Sequence, residues 1–473
     1  MVLAASLVGL LGLAAVAGAR VQSSAPSLHE EEITFASGGV MLAGTVVFPE
    51  GEGRYPAVVL VHGSGPGPRE QLRREAEAFA RLGVVSLIYD KRTVGYSATG
   101  TGARSYDLLA DDALAAVAAL RGHRAVTPEA VGLWGLSEGG WVAPLAANRG
   151  DDVAFVVLVG SSGMPPAQQV AWSVETDMRH HGISGSVVEA FARTAWRVLA
   201  GTGGMAEGDH DPIPPLERLR QPVLAIWGEL DRTALPAESA EITRAALERG
   251  GNQDYTIRFF AAAQHGMEAS ADGFTRGDAL VSGYPELVGT WIHAVARGER
   301  AGPSSDPLPP QELRSRPLAP LAWWESEWAQ LGVIALPLVA FASYPLSALV
   351  IAAARFVRRG GASHGAAVPV PGHRWASGLV VSGLAAMIGF AAYFAYALII
   401  ARSYGPLIGG VPLPWLGLQL LAVAACVLAG LLARSWWTHR AALTAPNRVR
   451  QGLLLAGAVV FAIWAGYWSL LRV

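Results

Sequence analysis

Two regimes of hydrophobic patterning divide the chain. Up to about residue 300, short apolar runs alternate with segments whose apolar positions recur every three to four residues. Beyond residue 328, apolar runs of more than twenty residues follow one another without a single acidic side chain. The short runs AVVLVHG, VVSLIYD, AVGLWGLS, VAFVVLVG, PVLAIWG and YTIRFFA read as strands buried on both faces of a parallel sheet. ITFAS and VMLAGTVVFP read as an antiparallel start. Between them, EQLRREAEAFARLG, YDLLADDALAAVAALRG, PAESAEITRAALERGG and YPELVGTWIHAVARG carry helical periodicity. Strand–helix alternation predicts a doubly wound, mostly parallel α/β domain over 31–300. In such sheets reactive groups gather at the carboxyl ends of the strands. One connection, about 164–220, is too long for a simple crossover and includes SVVEAFARTAWRVLA. It is predicted to be a helical cap.

The later runs, 329–354, 376–401, 411–433 and 451–471, are each long enough to cross a bilayer, which takes about 20 apolar residues. An all-α transmembrane bundle over 329–473 is therefore predicted. The loop between the first two runs holds Arg355, Arg358, Arg359 and Arg374, and that between the last two holds Arg434, Arg440, Arg448 and Arg450. The middle loop has only Arg402 and the C-terminus only Arg472. By the positive-inside rule the two four-arginine loops face the cytoplasm, and everything before residue 328 lies outside. Trp323, Trp324, Trp328, Trp375, Trp415, Trp436 and Trp437 mark the expected interfaces. Ala458, Ala462 and Gly466 offer a small-residue face for helix packing, and Pro337 and Pro345 are expected to kink the first span. Residues 1–19 are apolar and end in Ala17-Gly18-Ala19, the pattern of a cleaved signal or an N-terminal anchor. Either would send the following domain across the membrane. The segment 301–323 carries six prolines and reads as a stiff, extended stalk holding the domain off the bilayer.

Composition sharpens this division. Residues 1–328 carry 26 basic and 38 acidic side chains, a balance of −12, while the last 145 residues hold ten Arg and no acid. No basic face is present for nucleic acid. The single cysteine, Cys426, excludes an internal disulfide or a cysteine metal site.

The candidate chemistry sits at predicted strand ends. GLSEGG places Ser137 in G-x-S-x-G, directly after a strand and before a helix, the setting of a nucleophile elbow. A serine hydroxyl needs a base, and His265 lies in the loop after the last strand, followed by Gly266. The imidazole in turn needs a carboxylate to orient it; Asp231, in AIWGELDRTALP, is the candidate, with Glu229 as its rival. Oxyanion donors are expected from the N–H of Glu138, beside the serine, and of Ser64, with Gly63 or Gly65 as alternates, in the bend VLVHGSGPGPRE. His62 is expected to brace that bend, and Asp90 and Arg92 to pin the neighbouring loop by charge pairing. The chemistry requires no metal or cofactor.

Three motifs, HGSGP (His62–Pro66), YDKR…GYS (Tyr89 to Ser97) and GLSEGGW (Gly135–Trp141), together resemble the α/β-hydrolase superfamily. The likeness is to bacterial secreted esterases and related serine-peptidase-like hydrolases. It covers about residues 31–300 and departs at Thr93, where the pattern has glycine. The resemblance implies a serine hydrolase acting on carboxylic esters. An aminopeptidase-like peptidase or an acyltransferase would use the same residues, and a non-catalytic signalling protein would show an eroded triad.

Overall fold

The computed structural model describes residues 27–95, 105–300, 302–358, 370–397 and 403–472. The N-terminal apolar stretch, Ser97 of the second motif, Arg359 and Arg402 lie outside these residues. Strands β1 (Leu28–Ser37), β2 (Val40–Pro49), β3 (Tyr55–Val61), β4 (Val85–Tyr89), β5 (Val126–Leu136), β6 (Val156–Val159), β7 (Val223–Gly228), β8 (Tyr255–Phe260) and the short β9 (Ser304–Ser305) form one sheet. Their order is β1-β2-β4-β3-β5-β6-β7-β8-β9. The β1–β2 and β2–β4 pairs are antiparallel and all others parallel. The inner strands are apolar throughout because helices cover both faces. Helices α1 (Arg73–Arg81) and α9 (Tyr284–Ala296) bury Phe79, Tyr284 and Val288 on one face. On the other lie α2 (Tyr106–Arg121), α3 (Gly139–Ala147) and α8 (Pro236–Arg249), through Leu109, Val142 and Leu247. The chain runs outward from β3 to β4, then returns to β5 on the other side of β3. This reversal opens a crevice at the carboxyl ends of β3 and β5, where the first and third motifs lie. The architecture is that of an α/β-hydrolase.

Between β6 and β7 the chain forms α4 (Pro166–His180), α5 (Ser186–Val188), a π-helical turn over Glu189–Thr194, α6 (Ala195–Gly201) and α7 (Ile213–Arg218). Helix α4 rests on the sheet side through Gln169 Nε2, which donates to Thr233 O at 2.8 Å, and Ser173 Oγ, which donates to Arg232 O at 3.1 Å.

Four long helices follow: α10 (Glu327–Arg358), α11 (His373–Ala395), α12 (Leu413–His439) and α13 (Ala445–Tyr467). All four are long and apolar enough to cross a membrane. One helix runs unbroken through Pro337 and Pro345. The close approach of α13 to α10 is made by Gly457, where an added Cβ would fall 2.4 Å from that of Ala340. Of the predicted face, Ala458 is buried in the bundle core, whereas Gly466 has open space around it. The helical register places position 457, not 466, at the crossing.

The stalk expectation fails. The proline-rich segment lies along the domain: Ser315 N–H and Oγ–H donate to the Glu238 carboxylate at 2.9 and 2.8 Å, and Leu313 O accepts from Trp172 Nε1 at 2.7 Å. Arg197 then grips Glu325 with two hydrogen bonds of 2.6 and 2.5 Å. Extended backbone leaves its own polar groups unpaired, and the cap and α8 supply partners for them. The cap consequently sits directly on the bundle. Phe191 is fully buried among Tyr393, Phe394 and Trp415, with ring centroids 5.3–5.6 Å apart. Ser184 N–H donates to Gly410 O at 2.8 Å, and Tyr404 O–H donates to Asp177 Oδ2 at 3.0 Å.

Candidate active site

The serine sits on a turn that only small neighbours permit. Ser137 adopts φ +54°, a left-handed conformation that costs a non-glycine residue free energy and recurs at functional turns. Its N–H donates to Val159 O on β6, and its carbonyl accepts from Gly140 N–H, both at 2.8 Å. A Cβ on Gly135 would fall 2.2 Å from Gly139 O, one on Gly139 2.4 Å from Val61 O, and one on Gly140 2.4 Å from Ser161 Oγ. The glycines of GLSEGG are thus required by contacts within the turn and with β3 and the β6 loop. Gly139→Ala is expected to destabilise the domain by about 2 kcal/mol or more through forced backbone displacement, read as a lowered midpoint in urea denaturation.

His265 and Asp231 meet. The imidazole Nδ1–H donates to Asp231 Oδ2 at 2.9 Å, and Asp231 is fully buried. Its other oxygen, Oδ1, accepts from the N–H groups of Thr233 and Ala234 at 2.7 and 2.9 Å, so the carboxylate is held with one edge towards the ring. Glu229 turns away into a cleft bounded by Trp172 and Arg179 of the cap. With Nδ1 committed as donor, Nε2 is left as the basic nitrogen. Burial works against the charged ring, but the charge and hydrogen bond of Asp231, with a further pull from Glu268, raise the His265 pKa above the ordinary histidine value. Gly160, one residue beyond the acceptor of the Ser137 N–H, lies against the imidazole: its Cβ position is 3.0 Å from His265 Nδ1. The imidazole is therefore packed beside the elbow. No hydrogen bond joins Ser137 Oγ to His265 among the described residues; in free enzymes such bonds are often long and tighten when substrate binds.

Across the crevice, Ser64 is exposed in the glycine-rich bend after β3. His62 is buried beneath it, and its Nε2–H donates to Tyr89 O at 2.7 Å. Burial pushes its pKa down to about 4, so the ring is neutral and serves as a brace. The predicted charge pins are present: Arg92 forks onto the buried Asp112, with Nε to Oδ2 at 2.6 Å and Nη2 to Oδ1, and Asp90 accepts from Arg69 N–H at 2.9 Å.

Sequence reasoning missed Lys91. Its ammonium donates to Gly63 O at 2.8 Å, to Gly65 O at 3.4 Å and to Glu138 Oε1 at 2.5 Å. Both Lys91 and Glu138 are buried. One cation thus joins the bend that carries Ser64 to the residue after the elbow serine, fixing the separation of the two candidate oxyanion amides. The available signal was a glutamate set among glycines and a lysine at a strand end, in two motifs that co-occur. Lys91→Met would remove the cation from beside the buried Glu138 carboxylate and is expected to destabilise the domain by about 3–5 kcal/mol. Lys91→Met combined with Glu138→Leu should recover much of that loss, measured as the coupling in a double-mutant denaturation cycle.

Residues 106–279, little more than a third of the chain, match the prolyl oligopeptidase family. Esterase EstD of Thermotoga maritima is 30% identical over 161 residues, covering 33% of this chain and 36% of that protein. Thiohydrolase aneE of Aspergillus aculeatus is 32% identical over 123 residues, covering 26% and 38%. The chain therefore spans little more than a third of the length of these relatives. Among solved structures, a dienelactone hydrolase from Anabaena variabilis is 20% identical, with 58% of this chain and 99% of that one covered, at a TM-score of 0.35. An acylaminoacyl peptidase from Pyrococcus horikoshii is 17% identical, with 58% and 42% covered, at a TM-score of 0.37. Neither structural likeness is close enough to bear on function.

Proposed function

We propose that this chain, a serine hydrolase of α/β-hydrolase fold, cleaves carboxylic esters at the outer face of a membrane in which α10–α13 anchor it. Ser137 Oγ attacks the acyl carbonyl while His265 Nε2 takes its proton. Asp231 holds the ring in the required tautomer and stabilises the imidazolium. The amides of Ser64 and Glu138 face the developing oxyanion, each such donor contributing about 2.7–4 kcal/mol to barrier lowering. His265 then protonates the leaving alcohol, and water, activated by the same base, releases the acid and restores the serine. The observation that carries this reading is the 2.9 Å bond between His265 and a buried, backbone-oriented Asp231, beside a serine on a left-handed elbow. A fluorophosphonate probe tests it: wild type should label covalently at Ser137. Absence of labelling, or equal labelling of Ser137→Ala, would refute it.

The family match favours a second reading, an aminopeptidase-like peptidase with the same triad. Chromogenic esters of graded acyl length assayed beside aminoacyl amides separate the two, since esters should turn over faster if the first reading holds.

The sidedness rests on arginine. The cap packs on the bundle end bearing Tyr404, Gly410 and the C-terminal Arg472, whereas Arg374, Arg434, Arg440, Arg448 and Arg450 belong to the opposite connections. By the positive-inside rule this supports a reading with the arginines inside and the hydrolase domain outside. In a Cys426→Ala background, Ser305→Cys should react with an impermeant maleimide in intact cells, and Thr438→Cys only after permeabilisation. The reverse pattern would invert the topology.

A further inference from the structure

His265 stands in a tight loop whose base is closed by backbone. After β8, Ala263 and Ala269 form an antiparallel bridge, and Ala263 O accepts from Leu230 N–H, beside Asp231, at 3.0 Å. Within the loop Gln264 N–H donates to Glu268 O and Met267 N–H to Gln264 O, both at 3.0 Å. Two non-glycine residues here, Ala262 and Met267, hold φ of +53° and +65°. Such backbone costs about 1–3 kcal/mol per residue and persists only where surrounding contacts over-determine it.

Those contacts converge on Glu268, three residues after the histidine and 1% exposed. Its two carboxylate oxygens face different ways. Oε1 accepts from Arg74 Nη2 of α1 at 2.5 Å and from Arg276 Nη2, which moors the loop to the helix layer. Oε2 accepts from Gln264 Nε2, on the residue before the histidine. On the residue after it, Gly266, a Cβ would meet the Glu268 carboxylate, which supplies its three nearest atoms. Gly266 is not left-handed, so this carboxylate is what requires glycine there. A buried anion is thus wedged against both sequence neighbours of His265.

The charge on Glu268 persists. Burial works against it, but Arg74 and Arg276 hold its pKa below the ordinary carboxylate value. Nearby, Glu75 of α1 shares Arg74 Nη2 at 3.2 Å, and burial keeps the Tyr284 phenol of α9 protonated. Both guanidinium groups sit on the Oε1 edge, so the Oε2 edge presents negative charge to the histidine loop. Against burial, and behind Asp231, Glu268 pulls the His265 pKa upward.

We infer that Glu268 is a positioning residue for the proposed hydrolysis, fixing the loop that presents His265 to Ser137 and standing as a second anion behind the imidazolium. It acts through His265 and not on the ester. The inference rests on the triad reading, because it assigns Glu268 to the same base.

Glu268→Gln keeps the size of the side chain and removes its charge. Its plateau kcat/KM for a chromogenic ester should fall about tenfold or more, a misplacement of about 1 Å costing about 10²-fold. With one anion gone and Arg74 and Arg276 left behind, the acid limb of kcat/KM should also move to lower pH, by less than in Asp231→Asn. A role confined to stability would lower the urea midpoint and leave the limb in place. Gly266→Ala retains every charge but presses a methyl group on the carboxylate, and kcat/KM should fall about tenfold. Combined with Glu268→Ala, which vacates that space, Gly266→Ala should add no further loss. With wild type labelled at Ser137 by a fluorophosphonate, any of three results would overturn the inference: a Glu268→Gln limb coincident with wild type, unchanged kcat/KM in Gly266→Ala, or fully additive losses in the double variant. Where loss of the charge unfolds the domain, Gly266→Ala decides alone. Failure of wild type to label would instead overturn the hydrolase reading, and this inference with it.

Discussion

Ser137→Ala is expected to lower kcat for a chromogenic ester by about 10⁶-fold, the loss seen when the nucleophile of a serine triad is removed. The size of the effect follows from how little the rest of the site achieves without a covalent intermediate. Donors aimed at an oxyanion still bind, and a residual rate of about 10³–10⁴ over water is typical, but the acyl group has nowhere to go except directly to solvent. The fold should tolerate the change. Alanine keeps the Cβ that Ser137 already places at φ +54°, and the hydrogen bonds that define the turn are made by its backbone, to Val159 and Gly140. Unchanged urea denaturation together with collapsed kcat is the expected pair of results. A variant retaining more than a hundredth of wild-type kcat would place the nucleophile elsewhere.

Asp231→Asn is expected to reduce kcat/KM by about 10⁴-fold, for a different reason. The Asp231 carboxylate accepts on both edges, from two backbone amides through Oδ1 and from His265 Nδ1–H through Oδ2. An asparagine that keeps its oxygen towards Thr233 and Ala234 must turn its NH₂ towards the imidazole. The ring then presents a lone pair at Nδ1 and its proton at Nε2, the wrong tautomer for a base. The pH profile separates this from simple damage. In the proposed mechanism His265 must be neutral to accept a proton from Ser137, and its pKa is raised in the fold, Asp231 and Glu268 outweighing burial. The acid limb of kcat/KM in wild type should therefore lie above the ordinary histidine value of about 6.5. In Asp231→Asn the largest raising influence is gone while burial remains, so the limb should shift to lower pH. A limb that stays put would mean that His265 is not the titrating base.

Much of this candidate site was legible in the chain. The serine was visible because the requirement is local: a strand, a left-handed residue and a helix start within six positions demand glycine where a Cβ would strike the turn's own backbone. His265 and the carboxylate-bearing loop were visible because strands of a parallel sheet end on the same side, so residues just past them share a rim. The choice between Asp231 and Glu229 was harder, since both lie in one short loop and only the backbone amides of Thr233 and Ala234 decide which carboxylate is held towards the ring. Lys91 was hidden for a similar reason. Its partners, Gly63, Gly65 and Glu138, lie 26 to 47 positions away, and nothing in the local pattern of YDKR states that its lysine turns inward.

Hydrophobic period and the sterics of tight turns act over a few residues, so they determined from the sequence alone the alternation of strand and helix, the four long apolar helices and the elbow serine. Contacts between distant segments depend on which faces meet once those elements pack. Only the tertiary structure could therefore decide that the proline-rich segment straps itself to α8 and the cap, that the cap is sunk into the end of the bundle, and that a single buried ammonium ties together the two loops of the candidate site.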